Sequence, residues 1–253
     1  MNHIEKQYQT SGNLKTRISI HSKYSTNQQS FGEWITSHYV IEPEFRILEL
    51  GCGTADMWKG KLALLDGGSH LTLTDFSAGM LETAAKNIGS AGNVDFKVVD
   101  IQKIPYENDT FDMVIANMML YHVPDLGKAL AEVRRVLRPG GVFYCATYGE
   151  HGIMEFINDT LKEYHISGSI GKSFTLQNGG DSLGRHFSTV EKLTREDGLV
   201  ITHIPDFVEY VLSLSGLSGL ERANAELLLQ AFEKKSIDGI LYVPKEYGMF
   251  ICR

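Results

Sequence analysis

The feature of this sequence that most constrains its fold is a series of short, largely apolar runs, most of them followed by Gly, Asp or Asn. The runs are residues 46–50 (RILEL), 71–74 (LTLT), 94–99 (VDFKVV), 111–116 (FDMVIA) and 142–147 (VFYCAT). Such runs are typical of buried parallel strands. Helical patterns separate several of them, at residues 55–65, 78–88 and 124–137. The alternation predicts a doubly wound α/β sheet with right-handed crossovers.

Outside residues 31–150 the alternation is weaker. The first 30 or so residues are polar, and a helical pattern follows at residues 31–39. After residue 150 we expect helices at 153–164, 206–213 and 219–235, a polar loop at 173–185, and strands at 187–193 and 247–252. This region is either a substrate lid or a packing appendage.

Composition narrows the class of protein. The chain has 253 residues, is 43% hydrophobic and carries a net charge of −7, so we expect one globular unit with no basic face for nucleic acid. No segment resembles a signal peptide or a membrane span, which favours a cytoplasmic protein without membrane contact. Cys52, Cys145 and Cys252 are far apart, and the histidines show no ligand spacing, so we predict buried thiols and no metal.

The first strand ends in a glycine turn, Glu49 to Asp56 (ELGCGTAD). Gly51 and Gly53 permit a tight turn that a ligand can approach closely. A dinucleotide fingerprint would have its third glycine at position 56, where this chain has Asp56. That carboxylate would repel a pyrophosphate by roughly a kcal/mol or more. The turn therefore favours a ligand without phosphate over NAD or FAD.

Carboxylates also follow the next two strands. Asp75 can accept both hydrogen bonds of a ribose diol, and Asp100 can accept one from an amine such as adenine N6, beside the backbone N–H of Ile101. With Glu49 and Asp56 they would form an acidic rim, which suits the sulfonium and ammonium groups of S-adenosylmethionine (SAM). The alternative for Asp75, which lies next to Ser77, is a role in capping the following helix.

Taken together, these motifs resemble the class I SAM-dependent methyltransferases that act on small molecules. The resemblance covers residues 46–148 and rests on ILELGCGTA, LTLTDFSAGML, VVDIQKIPYENDTFDMVIANMMLYHV and LRPGGVFYCATYG. It implies a Rossmann-like sheet of seven strands with the last strand antiparallel. One departure is Ala55, where the family more often has a third glycine.

The resemblance also implies which residues bind SAM. Those expected at the cofactor are Glu49 and Gly51 near the methionine part, Gly53 in the same turn, Asp75 at the ribose, Phe76 and Met80 beside the adenine, Asp100 and Ile101 at its polar edge, and Asn117 at the amino acid end. The N-terminal run RISIHSKYS, residues 17–25, is similar to segments that close over SAM, so Arg17 or Tyr24 would reach the SAM carboxylate. The alternative for this run is a flexible tail.

Methyl transfer requires an aligned donor and acceptor, and a base where the acceptor must lose a proton. His122 is the candidate base and Tyr121 the residue that would orient the acceptor; the alternative for His122 is a helix-start residue bonded to backbone. We therefore predict a methyltransferase with a small-molecule acceptor. An RNA or protein methyltransferase and a non-catalytic SAM-binding regulator are the alternatives. The acceptor, its reacting atom and the oligomeric state stay open.

The expected organisation has four parts. Residues 1–30 form an N-terminal lid segment and residues 31–150 the SAM-binding core. Residues 151–240 form a helical lid insertion that supplies the acceptor pocket and one core strand, and residues 241–253 supply the final strand.

Overall fold

The structure is a computed structural model that describes residues 19–65, 67–89, 91–168, 172–214 and 217–253. The helices are α1 (Phe31–Ser37), α2 (Ala78–Ile88), α3 (Leu126–Val136), α4 (Ile153–Leu161), α5 (Gly179–Leu183), α6 (Ile204–Ser213) and α7 (Ala225–Glu233). The strands are β1 (Arg46–Leu50), β2 (His70–Asp75), β3 (Val94–Val98), β4 (Phe111–Ile115), β5 (Leu137–Tyr148), β6 (Ser167–Gly168), β7 (Val190–Ile201), β8 (Leu217–Ser218) and β9 (Leu241–Cys252).

Seven of these strands form one sheet in the order β3-β2-β1-β4-β5-β9-β7. Strands β1 to β5 pair in parallel, and the last strand, β9, is antiparallel. The strand order reverses between β1 and β4, which is where an open α/β sheet binds its ligand. The Rossmann-like seven-stranded fold predicted from the sequence is confirmed.

The chain forms two compact units. The core unit consists of Phe31–Tyr148, Gly171–Thr194 and Gly248–Arg253, and the appended unit of the residues up to Ser30, Gly149–Ile170 and Arg195–Tyr247. Strands β7 and β9 therefore contribute residues to both units.

In the core unit, alternate strand residues point to opposite faces of the sheet, as the pleat requires. Ile47, Leu73 and Met113 pack in the cluster on one face, and Leu48 and Val114 in the cluster on the other. The appended unit has its own cluster, around Ile157, Phe207 and Phe232. Residues 19–24, which are helical, pack there through Ile20 and Tyr24. Within the described ranges, no helix is both long and apolar enough to cross a membrane.

The structure corrects several predicted elements. The helix expected at residues 55–65 is instead two short 3-10 turns, Asp56–Trp58 and Leu62–Leu65, because Gly60 between them has φ +72° and interrupts the helix. The helix expected at residues 219–235 begins later, at Ala225, where the Asn224 side chain accepts a hydrogen bond from Leu227 N at 2.8 Å. A short helix, α5, lies within the loop expected at 173–185.

Candidate functional site

The glycine turn after β1 lies at the carboxyl end of the sheet and is fixed by the neighbouring strand. Cys52 N donates to the Thr74 carbonyl at 2.8 Å, and Gly53 N donates to Asp75 Oδ2 at 2.9 Å. Gly51, Gly53 and Ala55 have φ values of +70°, +56° and +55°. Glycine adopts this left-handed region without strain, whereas Ala55 does so at a steric cost. The backbone thus explains why glycine would suit position 55.

Glu49 is buried behind this turn, with 3% of its surface exposed. Its carboxylate accepts a hydrogen bond from Trp58 Nε1. Burial raises the pKa of Glu49 to about 7, the charge of Asp75 adds to the effect, and the Trp58 hydrogen bond opposes it. Within the acidic rim predicted from the sequence, Glu49 is therefore a buried acid that a nearby cation would ionise.

Asp75 is the last residue of β2, and both of its carboxylate oxygens accept backbone hydrogen bonds. Oδ2 accepts from Gly53 N, and Oδ1 accepts from Ser77 N at 2.8 Å. The cap of α2 itself is Ser77, whose Oγ accepts from Met80 N at 3.4 Å. Asp75 thus ties the turn after β1 to the start of α2, with its carboxylate at the turn.

Asp100 lies two residues beyond the end of β3. Its Oδ1 accepts from Gln102 N at 2.9 Å and from Gln102 Nε2 at 3.2 Å. The Ile101 side chain is buried in the core, so its backbone is held in place beside Asp100. Phe76, which follows β2, has 72% of its surface exposed, and Met80 on α2 is half-buried. A large exposed aromatic ring beside buried polar groups is a feature of ligand sites.

Asn117 lies two residues beyond β4, and both ends of its amide are bonded. Its Nδ2 donates to the Tyr39 hydroxyl at 2.7 Å, and its Oδ1 accepts from Ala146 N at 3.1 Å. Tyr39 packs edge-on against Tyr144, with ring centroids 5.0 Å apart. Burial, with the Glu49 charge next in importance, keeps the pKa of Tyr39 well above its usual value, so this hydroxyl stays protonated.

Tyr121 and His122 belong to the 3-10 turn Leu120–His122 that follows β4. The Tyr121 ring lies 4.4 Å from the His122 ring and 4.5 Å from the Tyr148 ring, measured between centroids. His122 is exposed, and its backbone N donates to the Met119 carbonyl at 2.9 Å. Partial burial lowers the pKa of His122 below its usual value, which favours the neutral ring that a base requires.

The two N-terminal candidates have different outcomes. Arg17 lies outside the described residues. Tyr24 is buried in the appended unit, where its hydroxyl donates to Asp206 Oδ2 at 2.7 Å. A contact between Tyr24 and the cofactor stays a prediction. In the part of the chain that the structure describes, no three His, Cys, Asp or Glu side chains form a group that could hold a metal ion.

Comparison with known proteins identifies the domain that carries these residues. Residues 48–145 match the family model described as a methyltransferase domain. This range contains the glycine turn and all four strand ends described above. Residues 48–145 are thus similar to a methyltransferase domain, in agreement with the motifs of the sequence.

Two relatives of this region are methyltransferases named for quinones. A demethylmenaquinone methyltransferase of Clavibacter sepedonicus is 38% identical over 38% of this chain and 38% of its own length. A ubiquinone/menaquinone biosynthesis C-methyltransferase of Bartonella henselae is 26% identical over 70% of this chain and 69% of its own. The chain spans less than half the length of the first curated relatives it matches.

Solved structures agree on the fold. A putative methyltransferase from Bacillus halodurans superimposes with a TM-score of 0.61 at 14% identity, covering 88% of this chain and 98% of that one. This likeness concerns the fold alone.

Three residues that contact the candidate site were not anticipated from the sequence: Tyr39, Trp58 and Gln102. They bond Asn117, Glu49 and Asp100 respectively. Only Trp58 could have been noticed in the sequence, since it is one of two tryptophans in the chain and closely follows the glycine turn. The other two contacts depend on how distant segments pack.

Proposed function

We propose that the protein transfers the methyl group of SAM to a small-molecule acceptor. The observation that carries this proposal is the set of polar side chains after adjacent parallel strands, with a buried, readily ionised Glu49 behind the glycine turn. The two relatives from Clavibacter sepedonicus and Bartonella henselae are named for quinones, which are small molecules, and this favours a small-molecule acceptor for the present chain.

In this proposal the cofactor lies across the turn after β1. Asp75 accepts from the ribose hydroxyls, and Asp100 with the Ile101 N–H meets the adenine edge, between Phe76 and Met80. Glu49 offsets the ammonium charge from behind the turn, while Gly51 and Gly53 allow close backbone approach. Asn117 lies at the amino acid end, and Arg17 or Tyr24 of the N-terminal lid segment meets the SAM carboxylate.

SAM supplies a methyl group on a positively charged sulfur. A lone pair of the acceptor forms the new bond to the methyl carbon as the carbon–sulfur bond breaks and its electrons return to sulfur. The chain holds the two in line and excludes water. Tyr121 orients the acceptor, and His122 takes its proton where the acceptor carries one. Residues 151–240 are proposed to supply most of the acceptor pocket.

Calorimetry with SAM, S-adenosylhomocysteine and NAD tests the cofactor assignment. We expect the first two to bind and NAD not to bind, because Asp56 is placed where a pyrophosphate needs a glycine. Binding of NAD without binding of SAM would overturn the proposal. Incubation with SAM and a library of small acceptors then tests for turnover, because a SAM-binding regulator would bind the cofactor and methylate nothing.

A further inference from the structure

The appended unit contains a buried group of charged side chains outside the methyltransferase site. Arg195, Asp197 and Lys245 have only 2%, 0% and 5% of their side-chain surfaces exposed. One carboxylate oxygen of Asp197, Oδ2, accepts from both Arg195 Nη1 and Lys245 Nζ. Two cations therefore share one anion in a place where an unbalanced charge is costly.

Asp197 has no capacity for further donors. Its second oxygen, Oδ1, accepts hydrogen bonds from the N-terminal segment and the next residue: Ser25 Oγ at 2.6 Å, Gly198 N at 2.9 Å and Asn27 N at 3.2 Å. Burial opposes ionisation, but hydrogen bonds from Lys245, Ser25 and Arg195 hold the pKa of Asp197 well below its usual range. Asp197 is thus an ionised, fully bonded carboxylate.

Nitrogens without a hydrogen-bond partner nevertheless remain in the cluster. Arg195 Nη2 donates to the Gln29 carbonyl, but among the described residues neither Arg195 Nε nor His21 Nδ1 has a hydrogen-bond partner, although both atoms are buried. Burial, followed by the charge of Lys245, lowers the pKa of His21 to about 4, so its ring is neutral. The ring lies edge-on to Tyr210 and Tyr247, with centroids 6.1 Å and 6.5 Å away.

The net charge of the cluster depends on whether Lys245 is protonated. Burial lowers its pKa below the usual value, whereas the hydrogen bond to ionised Asp197 works in the opposite direction. With Lys245 charged, the cluster carries one excess positive charge. An added oxyanion would neutralise that charge and accept from Arg195 Nε and, in the tautomer that carries the proton on Nδ1, from His21. Both the excess charge and the missing hydrogen bonds would then be corrected.

We propose that His21, Arg195 and Lys245, held around Asp197, bind an oxyanion, either a carboxylate or a phosphate. Arg195 and Lys245 together suit either group, because the free Arg195 Nε–H can donate to one of its oxygens and the ammonium adds a compact charge.

NMR of the His21 ring in the full chain tests the site with inorganic phosphate and acetate as probes. We expect saturable shifts with at least one of them and a rise in the His21 pKa, because a nearby anion stabilises the imidazolium. The stronger response identifies which of the two oxyanions the site prefers. In Lys245→Met, which leaves a neutral Arg195–Asp197 pair, the affinity should fall roughly tenfold or more.

Two further variants serve as controls for probe binding. Glu196→Gln, an exposed neighbour, should bind the probes as the wild type does. Residues 1–18 lie outside the described part of the chain and contain one acid, Glu5, so Glu5→Gln should also leave probe binding unchanged. Absence of any His21 response, or a response seen only in Glu5→Gln, would overturn the inference. If Lys245→Met fails to fold, Arg195→Lys serves in its place, with the same expected loss.

Calorimetry with SAM on the same samples separates the two proposals. SAM binding without a His21 response would refute the oxyanion site and leave the proposed function standing. A His21 response without SAM binding would refute the proposed function and leave the oxyanion site standing.

Discussion

Asp75 binds two backbone amides in the structure before any ligand is considered, those of Gly53 and Ser77. Its carboxylate therefore serves the turn and, in our proposal, the ribose as well. We expect Asp75→Ala to weaken SAM binding by roughly 1.5–3 kcal/mol, the scale of a hydrogen bond to a charged group. Asp100→Ala should weaken it less, because the Ile101 backbone contact remains. Calorimetry measures both.

Asp75→Asn is the companion variant, since it keeps an acceptor oxygen for the backbone but loses the charge. Asp95→Asn, on the exposed surface of β3, is the control. A folded Asp75→Ala protein with full SAM affinity would mean that Asp75 only supports the turn.

Glu49 gives a pH-dependent prediction. Its pKa of about 7 in the folded protein lies above its usual value of 4.5, so the folded state holds a proton there that the unfolded state releases. The free energy of unfolding should therefore fall as the pH rises from about 4.5 to 7, by about 3 kcal/mol in total. Urea unfolding at several pH values should show this slope in the wild type and in Glu82→Gln, and a flatter one in Glu49→Gln.

The protonation of Glu49 should also be coupled to SAM binding. A bound ammonium favours the ionised carboxylate, so SAM binding at pH 7 should release about half a proton. Calorimetry in two buffers of different ionisation enthalpy measures that release. A binding enthalpy that does not change with the buffer would show that Glu49 does not sense the ligand charge.

At the scale of elements, the turn after β1 contains two glycines with different surroundings. Both have positive φ, so alanine at either position costs roughly 1–2 kcal/mol in strain. A Cβ on Gly51 would also lie 2.9 Å from Met119 Cγ and 3.0 Å from its Cβ, whereas one on Gly53 would meet nothing within 4 Å. Urea unfolding should show Gly51→Ala to be less stable than Gly53→Ala by about 1 kcal/mol or more. Equal losses would mean that Met119 moves aside freely.

An element could be predicted well from the sequence where the residues that it buries are apolar, and less well where they are charged. Strands β1 to β4 were predicted within two residues, because their buried residues are mostly apolar: β1 and β4 contribute to the clusters on both faces of the sheet, and β2 and β3 to the cluster on one face. The predicted strands overlap four of the twelve residues of β7 and six of the twelve residues of β9. The parts that were missed contain Arg195, Asp197 and Lys245, whose charges look like those of a loop until the ion pairs are known.

At the scale of the whole molecule, one carboxylate of the appended unit binds two neighbouring residues of the N-terminal segment. Asp206 on α6 accepts from Lys23 Nζ and Tyr24 Oη, and it also contacts His203 Nδ1 at 2.7 Å. We expect Asp206→Asn to speed tryptic cleavage after Lys23 severalfold, because a neutral amide pairs less well with an ammonium. Glu209→Gln, one turn or less along the same helix, is the control.

Repeating the digestion with SAM tests whether the N-terminal lid segment responds to the cofactor. We expect SAM to slow cleavage near Lys15, Arg17 and Lys23. Equal cleavage with and without SAM, together with full turnover after removal of residues 1–24, would identify the segment as a dispensable tail.

The division of β7 and β9 between the two units bears on how the chain folds as it leaves the ribosome. Residues of β9 complete both units, so neither has all its strands until residues 241–252 have emerged. Until then, the β5 edge that β9 will cover stays open to pairing with other chains. A nascent chain stalled before residue 241 should accordingly depend on chaperones to a degree that the finished protein does not.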